Sequence, residues 1–422
     1  MQAALFIFYL LIFSFFIITI PFFKKSGIGK TPLIALFIVK ILAGIGYGKF
    51  YTLPKYYANS DTWRFYRLSL EETKMLRQSP LLFSQDLFHY GYSSSGNIFS
   101  GENTYWNDLK SNLPVKIMAV FNVLTDNSYY TNIILFNFLF MFGLVALFKV
   151  FNTICLGKRW VIIGSIFLLP STLFWCSGIH KDGLILSAIG LTIYCLFTLI
   201  NKGVAIKHIL LIIFSFVLIF ALRNYILFTL LPALVCWVVS EKYPKQKRAI
   251  FITAYTVAVM CFFMLPLIFP AVNLPLYIVG KQQEFLQLSA GSHVAAAPLI
   301  PSFTGFISYL PHAVDMAFFR PHITKALNLS YLPAIIENVL LITLILISAF
   351  RFNKHTPLPP VVLCLLSFSM SVLLICGYTV PFTGAIVRYR SLVLPLLLTP
   401  LLCSANFSFP KRKHSILSAD NF

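Results

Sequence analysis

Four short stretches of the chain hold the residues whose types and spacing can do chemistry. The first is Tyr56-Tyr57-Ala58-Asn59-Ser60-Asp61-Thr62-Trp63-Arg64-Phe65-Tyr66-Arg67, a single carboxylate among arginines and aromatics. Beside a membrane surface such a carboxylate can act as a general base on a hydroxyl, or help to hold a divalent cation. Asp61 is therefore the candidate catalytic residue, with Trp63 and Tyr66 as candidates for contact with an acceptor or sugar. The competing reading is structural: Asp61 caps an interfacial helix, and Trp63 and Tyr66 belong to an aromatic belt.

The second stretch, Pro170 to Gly183, contains Phe174-Trp175-Cys176-Ser177-Gly178-Ile179-His180-Lys181-Asp182 between two apolar runs. A lysine and free backbone N–H groups at a helix N-terminus favour an anion such as phosphate. Lys181 is thus a phosphate-binding candidate, and His180 and Asp182 are acceptor-side candidates. Alternatively, Asp182 is an N-cap and Lys181 snorkels. The third is Arg223-Asn224, between two short apolar runs. An arginine with so few polar neighbours is costly against lipid, so Arg223 is expected to face a polar cavity and pair with phosphate or a carboxylate, unless it marks a plain interfacial turn. The fourth runs from Gly377 to Ser391 and carries Arg388-Tyr389-Arg390. Arg388 and Arg390 suit a headgroup phosphate and Tyr389 can stack on a sugar ring, with interfacial anchoring as the alternative. In a weaker run that also holds Asp315, Arg320 and the histidines His312 and His322 can bind phosphate or shuttle protons, or the run simply forms a structured loop ending at Pro321. If these stretches serve one reaction, Asp61 and Arg388 must lie within about 15 Å of each other, close enough for one substrate pose.

Apolar helices must position these residues. Of 422 residues, 58% are hydrophobic and 11% charged, and the mean hydropathy is +0.82, which excludes a soluble globule. The formal net charge of +20 does not imply nucleic acid, because the bases cluster at the ends of apolar runs. Those runs are Ala3–Phe23, Thr31–Tyr47, Asn132–Phe151, Trp160–Cys176, Gly183–Ile200, Ile209–Leu222, Tyr225–Ser240, Ala249–Phe269, Tyr331–Phe350, Pro360–Gly377 and Leu392–Cys403, about eleven spans by the ~20-residue rule. Lys24-Lys25…Lys30, Lys158-Arg159, Lys202…Lys207, Lys242 to Arg248, Arg351…Lys354 and Lys411-Arg412-Lys413 fall on alternate connections, which puts the N-terminus outside and the C-terminus inside. The first run has no basic segment before it and reads as a retained helix. Lys40 and Lys149 are expected to snorkel, and the cysteines show no metal-binding spacing. The expected fold class is an all-α polytopic membrane protein, one integral membrane domain over 1–422. It has two large outer loops, 49–131 and 270–330, with short interfacial helices such as Val115–Leu124, and a cytoplasmic tail at 408–422.

Asp61, followed much later by Arg388-Tyr389-Arg390…Pro395, resembles two elements of GT-C-type polytopic glycosyltransferases: an acid in the first large outer loop and an Arg-Tyr-Arg-like run entering a late span. Phe174-Trp175…Ser177-Gly178…Lys181-Asp182 is similar to segments of bacterial envelope-glycan membrane proteins, O-antigen-polymerase-like ones included. The resemblance implies an enzyme of the bacterial inner membrane. Its partners would be a polyprenyl-phosphate-linked sugar donor, a glycan or lipid acceptor and the membrane lipids. Asp61 would be the base, and Lys181, Arg223, Arg388 and Arg390 would hold the donor phosphate. No cofactor is certain; a divalent cation is the one candidate. The chain departs from the family pattern in placing Asp61 after the second span and without a neighbouring acid, which weakens the case for a metal. A transporter or flippase of lipid-linked glycans is the rival from another class.

Overall fold

The structure is a computed structural model that describes residues 1–58, 60–87, 105–288, 291–325, 331–351 and 358–405. Glu102, Lys354, the Lys411-Arg412-Lys413 cluster and the 408–422 tail lie outside the described residues. Among the described residues the secondary structure is helical, with no strand and one isolated β-bridge, His293 to Phe382. Inside a bilayer no water is on hand for backbone amides, so an apolar run satisfies them internally as a helix.

The chain opens with α1 (Gln2–Thr19), turns at Pro21 into α2 (Pro21–Lys24) and continues as α3 (Lys30–Phe50). The first long connection folds as α4 (Pro54–Tyr57), α5 (Asp61–Gln78), α6 (Pro80–Asp86) and α7 (Tyr105–Thr125), and the stretch Val115–Leu124 lies inside α7. Then come α8 (Tyr129–Ile154), α9 (Arg159–Phe167), α10 (Pro170–Trp175), α11 (Lys181–Lys202), α12 (Ile206–Lys242) and α13 (Lys247–Ile268). The second connection holds α14 (Leu274–Leu286) and α15 (Phe303–Val314), a π-turn at Asp315–Phe319 and a 3₁₀ turn at Ile323–Lys325. The chain closes with α16 (Leu332–Phe350), α17 (Pro360–Thr379) and α18 (Thr383–Ser404).

Nine helices among the described residues are long and apolar enough to cross a membrane: α1, α3, α8, α11, α12, α13 with the 3₁₀ turn before it, α16, α17 and α18. The chain is a polytopic helical protein. Two departures account for nine rather than eleven. The run Trp160–Cys176 breaks ahead of Pro170 into α9 and α10, since proline lacks an N–H and turns the preceding residue away from the helix. The runs either side of Arg223 form one helical element, interrupted at Arg223 with φ −155° and ψ 88°. Ile212 and Phe216 from the first limb of α12 and Leu231 to Val239 from the second line one apolar cleft of about 300 Å³. A straight helix would hold Ile212 and Val239 roughly 40 Å apart, so the limbs fold back on each other with Arg223 at the apex.

Of the spans, α8, α11 and α18 are the most buried and α1 and α13 the least. Lys158 Nζ donates to Cys403 O at 2.5 Å and Ala405 O at 2.7 Å, Lys247 Nζ donates to Leu358 O at 2.6 Å, and Arg159 donates to Ile28 O. These basic connections thus gather against neighbouring helix ends. Lys40 does not snorkel: it is buried mid-helix in α3, where Nζ donates to Cys176 O at 3.1 Å and Ser177 Oγ at 2.8 Å. Lys149 Nζ instead sits 3.9 Å from the Phe22 ring centre.

Candidate functional site

Helix ends build the site. Ser60 caps α5, its Oγ accepting from Trp63 N at 3.5 Å. His180 caps α11, its Nδ1 accepting from Asp182 N at 3.3 Å. Neither Asp61 nor Asp182 is the cap, so both carboxylates are free to pair. The Cys176–His180 turn is held from three sides. Lys40 binds Cys176 O and Ser177 Oγ, Asn137 Nδ2 donates to Ser177 O at 2.8 Å, and a Cβ on Gly178 would fall 2.2 Å from the Tyr47 ring.

Arg388 lies at the centre. Its Nε donates to Asp182 Oδ2 at 2.8 Å, and Nη1 and Nη2 lie 3.3 and 3.4 Å from Asp61 Oδ2. The Asp61–Arg388 separation is thus well within the limit a shared pose requires. His180 stands between the carboxylates, with Nε2 3.2 Å from Asp61 Oδ2 and Nδ1 2.9 Å from Asp182 Oδ2, and it also touches Arg388 Nη2. Arg223 Nη2 pairs with Asp182 Oδ1 at 2.5 Å, and its guanidinium lies 4.5 Å over the Tyr389 ring. Its non-helical backbone is therefore no plain interfacial turn. Lys181, half-buried, lies within electrostatic reach of Arg223, Arg388, Asp61 and Asp182, yet pairs with none of the described residues.

Three cations thus face two carboxylates, leaving a positive excess beside an Asp61 side chain that is 43% exposed. Burial acts to raise the Asp61 carboxyl. The His180 hydrogen bond, with the charges of His180, Arg388 and Lys181, overcomes it and holds the carboxyl well below the usual range. This donor set does not fit a divalent cation. Both carboxylates are already compensated by guanidiniums, a cation would sit against Arg388, Arg223 and Lys181, and no group of three or more metal-ligating side chains converges among the described residues. What the arrangement suits is an anion held by the three cations beside a carboxylate.

Several expected residues are placed otherwise. α18 starts at Thr383, so Arg388 and Arg390 lie inside the helix rather than ahead of it. At 100° per residue they point roughly 200° apart. Arg390 is buried on the other side, where Nη1 donates to Asn338 Oδ1 at 3.0 Å and Arg320 O at 3.2 Å. It pins the second connection and does not reach the Asp61 cluster. Arg320 and His322 both pair with Asp315, at 2.8 and 2.7 Å, and His312 packs on Tyr309, so this trio forms a separate group. Trp63 stacks on Tyr129 at 4.2 Å and donates to Gly48 O at 3.1 Å, while Tyr66 donates to Asn127 O at 2.6 Å. Trp63 and Tyr66 are thus engaged in the fold, whereas Tyr389 lies in the cluster under Arg223. Sequence reasoning gave Lys40 only a snorkelling role and assigned no site role to Tyr47, Tyr51 or Trp175, whose aromatic density flanks the Asp61 and His180 segments.

The fold and site define a polytopic helical membrane protein with a net-cationic cluster drawn from four distant segments. Comparison of the chain with family models, with curated proteins and with solved structures finds no match in any of the three.

Proposed function

We propose that the protein is a membrane glycosyltransferase that moves a sugar from a polyprenyl-phosphate or -diphosphate donor to a glycan or lipid acceptor at the outer face of a bacterial inner membrane. The observation that carries this reading is the meeting of Asp61 with Arg388, Arg223 and Lys181. A phosphate held by those cations sits beside a carboxylate, which is the pairing that sugar transfer from a lipid phosphate needs. Lys181, Arg223 and Arg388 bind the donor phosphate and stabilise the charge that builds on it as the sugar leaves. Asp61 accepts the proton of the attacking hydroxyl. In this reading the chain makes eleven passes, with the N-terminus outside and the Lys/Arg connections inside.

The limbs of α12 support an enzyme over a transporter. They hold 17 and 19 residues on either side of Arg223, roughly 25 to 28 Å each. That length carries the apex almost across the ~30 Å hydrocarbon layer. The cationic site then lies at the far surface, whereas transporters bind at the midplane. A polymerase that joins lipid-linked repeat units is the second reading, favoured by a site built on arginine and ill suited to a metal.

The test is surface glycan and polyprenyl-linked precursor in cells expressing wild type, Asp61→Asn or Arg388→Ala. Both variants are expected to reach the membrane, lose more than about 100-fold in glycan output and accumulate precursor, as removal of a base or an electrostatic stabiliser commonly does. Single repeat units left on the surface would select the polymerase. Wild-type glycan from both variants would refute catalysis and bring a transport role forward.

A further inference from the structure

An aromatic wall flanks the Asp61–Arg388 pair. The Tyr47 ring lies 4.9 Å from Tyr51 and 5.7 Å from Trp175, Tyr51 lies 6.2 Å from Trp175, and Tyr56 lies 6.3 Å from Tyr51. The Arg388 guanidinium stands 5.6 Å over the Trp175 ring, joining this wall to the charged cluster. The Tyr47 and Tyr51 hydroxyls both lie within electrostatic reach of Arg388 and Asp61. Tyr51, Tyr56 and Trp175 are half-buried, with Tyr47 buried behind them.

The polar tips of these rings distinguish them from the other aromatics nearby. Among the described residues, the hydroxyls of Tyr47, Tyr51 and Tyr56 and the indole N–H of Trp175 have no hydrogen-bond partner. Trp63 and Tyr66, by contrast, donate to backbone carbonyls. Burial, opposed by Arg388 and aided by Asp61, pushes the Tyr51 hydroxyl up to about 12, so it stays a neutral donor across the physiological range.

A sugar ring offers an apolar C–H face and a rim of hydroxyls. Aromatic faces take the first, and free O–H and N–H tips take the second. We infer that Tyr51, Tyr56 and Trp175, backed by Tyr47, form the subsite for the pyranose ring whose hydroxyl faces Asp61. This inference rests on the transferase reading and adds to it the chemistry of the acceptor, a glycan rather than a plain lipid alcohol.

The experiment compares Trp175→Phe, Trp175→Leu and Tyr51→Phe. It reads surface glycan per unit of membrane-inserted protein, and the affinity of the detergent-solubilised protein for farnesyl diphosphate as a donor probe. Trp175→Leu is expected to lower glycan output about tenfold, the size of one lost aromatic contact with its hydrogen bond, while Trp175→Phe stays within about threefold. Tyr51→Phe is expected to lower it severalfold. Farnesyl diphosphate affinity should match wild type in all three. Wild-type output from Trp175→Leu overturns the subsite, as does a loss of glycan that tracks a loss of diphosphate affinity, because Trp175 would then only support Arg388. If Trp175→Leu fails to reach the membrane, Tyr51→Phe decides alone, and unchanged output there overturns the inference. The parent reading fails separately, through wild-type glycan from both Asp61→Asn and Arg388→Ala.

Discussion

Asp61 is held at rest by Arg388, the same guanidinium that binds the donor phosphate in the proposed transferase. With its carboxyl well below the usual range, it is a poor base until Arg388 lets go. In the proposed transferase, a phosphate that claims Arg388 releases Asp61, so donor binding comes before proton transfer. Linkage gives a measurable consequence, because the carboxylate competes with the ligand for one cation. Asp61→Asn is expected to bind farnesyl diphosphate about tenfold more tightly than wild type, and Arg388→Ala at least tenfold more weakly, by calorimetry in detergent. Equal affinities in wild type and Asp61→Asn would sink the competition. The sign with pH follows from the depressed carboxyl. Its stabilising share is fully present above the unfolded value near 4 and is lost only as pH falls through the folded one. Asp61 therefore stays charged from pH 5 to 8 in the ligand-free protein, and a change in diphosphate affinity within that window has another group as its source. The chemistry at this scale was legible where an unusual charge marked a break between apolar runs, as at Asp61, Arg223 and Arg388, but not at Lys40, whose partners lie on another helix connection. Arg390 was not, because two residues along a helix reverse its direction only once the start at Thr383 is known. Trp63 was misleading because a stacked tryptophan and a free one look alike in a sequence.

At the scale of elements, the paired α8 and α11 hold the site. Asn137 on α8 and the His180 cap on α11 both meet the Cys176–His180 turn. Their axes come close because small residues face each other. A Cβ on Gly143 would lie 2.2 Å from Ser187 Cα, and one on Gly190 would lie 2.2 Å from Gly143 O. Between membrane helices, close packing is a main source of association. Gly143→Ala must push the two backbones apart, costing on the order of 1 to 3 kcal/mol. It is expected to lower the melting temperature of the solubilised protein by a few degrees. Gly46→Ala is the control, since nothing lies within 4 Å of its Cβ position, and it should melt at or above wild type. Equal melting of the two variants would show that this contact does not limit stability. Apolar runs and their polar breaks made most of these helices legible. The fold-back of α12 was foreshadowed by Arg223-Asn224, whereas the break of the run Trp160–Cys176 into α9 and α10 was not, because Pro170 was weighed less than the run around it.

At the scale of the whole molecule, sidedness decides the chemistry. Lys158 meets the far end of α18 at Cys403, while Arg388 lies fifteen residues earlier on that helix, roughly 22 Å away. The charged cluster and the Lys158 connection are therefore at opposite ends of α18. Lys and Arg tend to accumulate on the cytoplasmic side, and the proposed orientation therefore turns the Asp61 cluster outward. Single cysteines test this in a background where Cys155 and Cys261 are serine, the remaining thiols being buried. Thr52 is exposed just beyond α3, on the side of the cluster. Leu156 and Val204 are 83% and 85% exposed beside the basic connections. A membrane-impermeant maleimide should label Thr52→Cys in intact spheroplasts, and Leu156→Cys and Val204→Cys only after permeabilisation. The reverse pattern would put the cationic cluster in the cytoplasm. There the natural anionic sugar donor is a soluble nucleotide sugar, and the requirement for a lipid-linked donor would fall even if Asp61 and Arg388 proved essential.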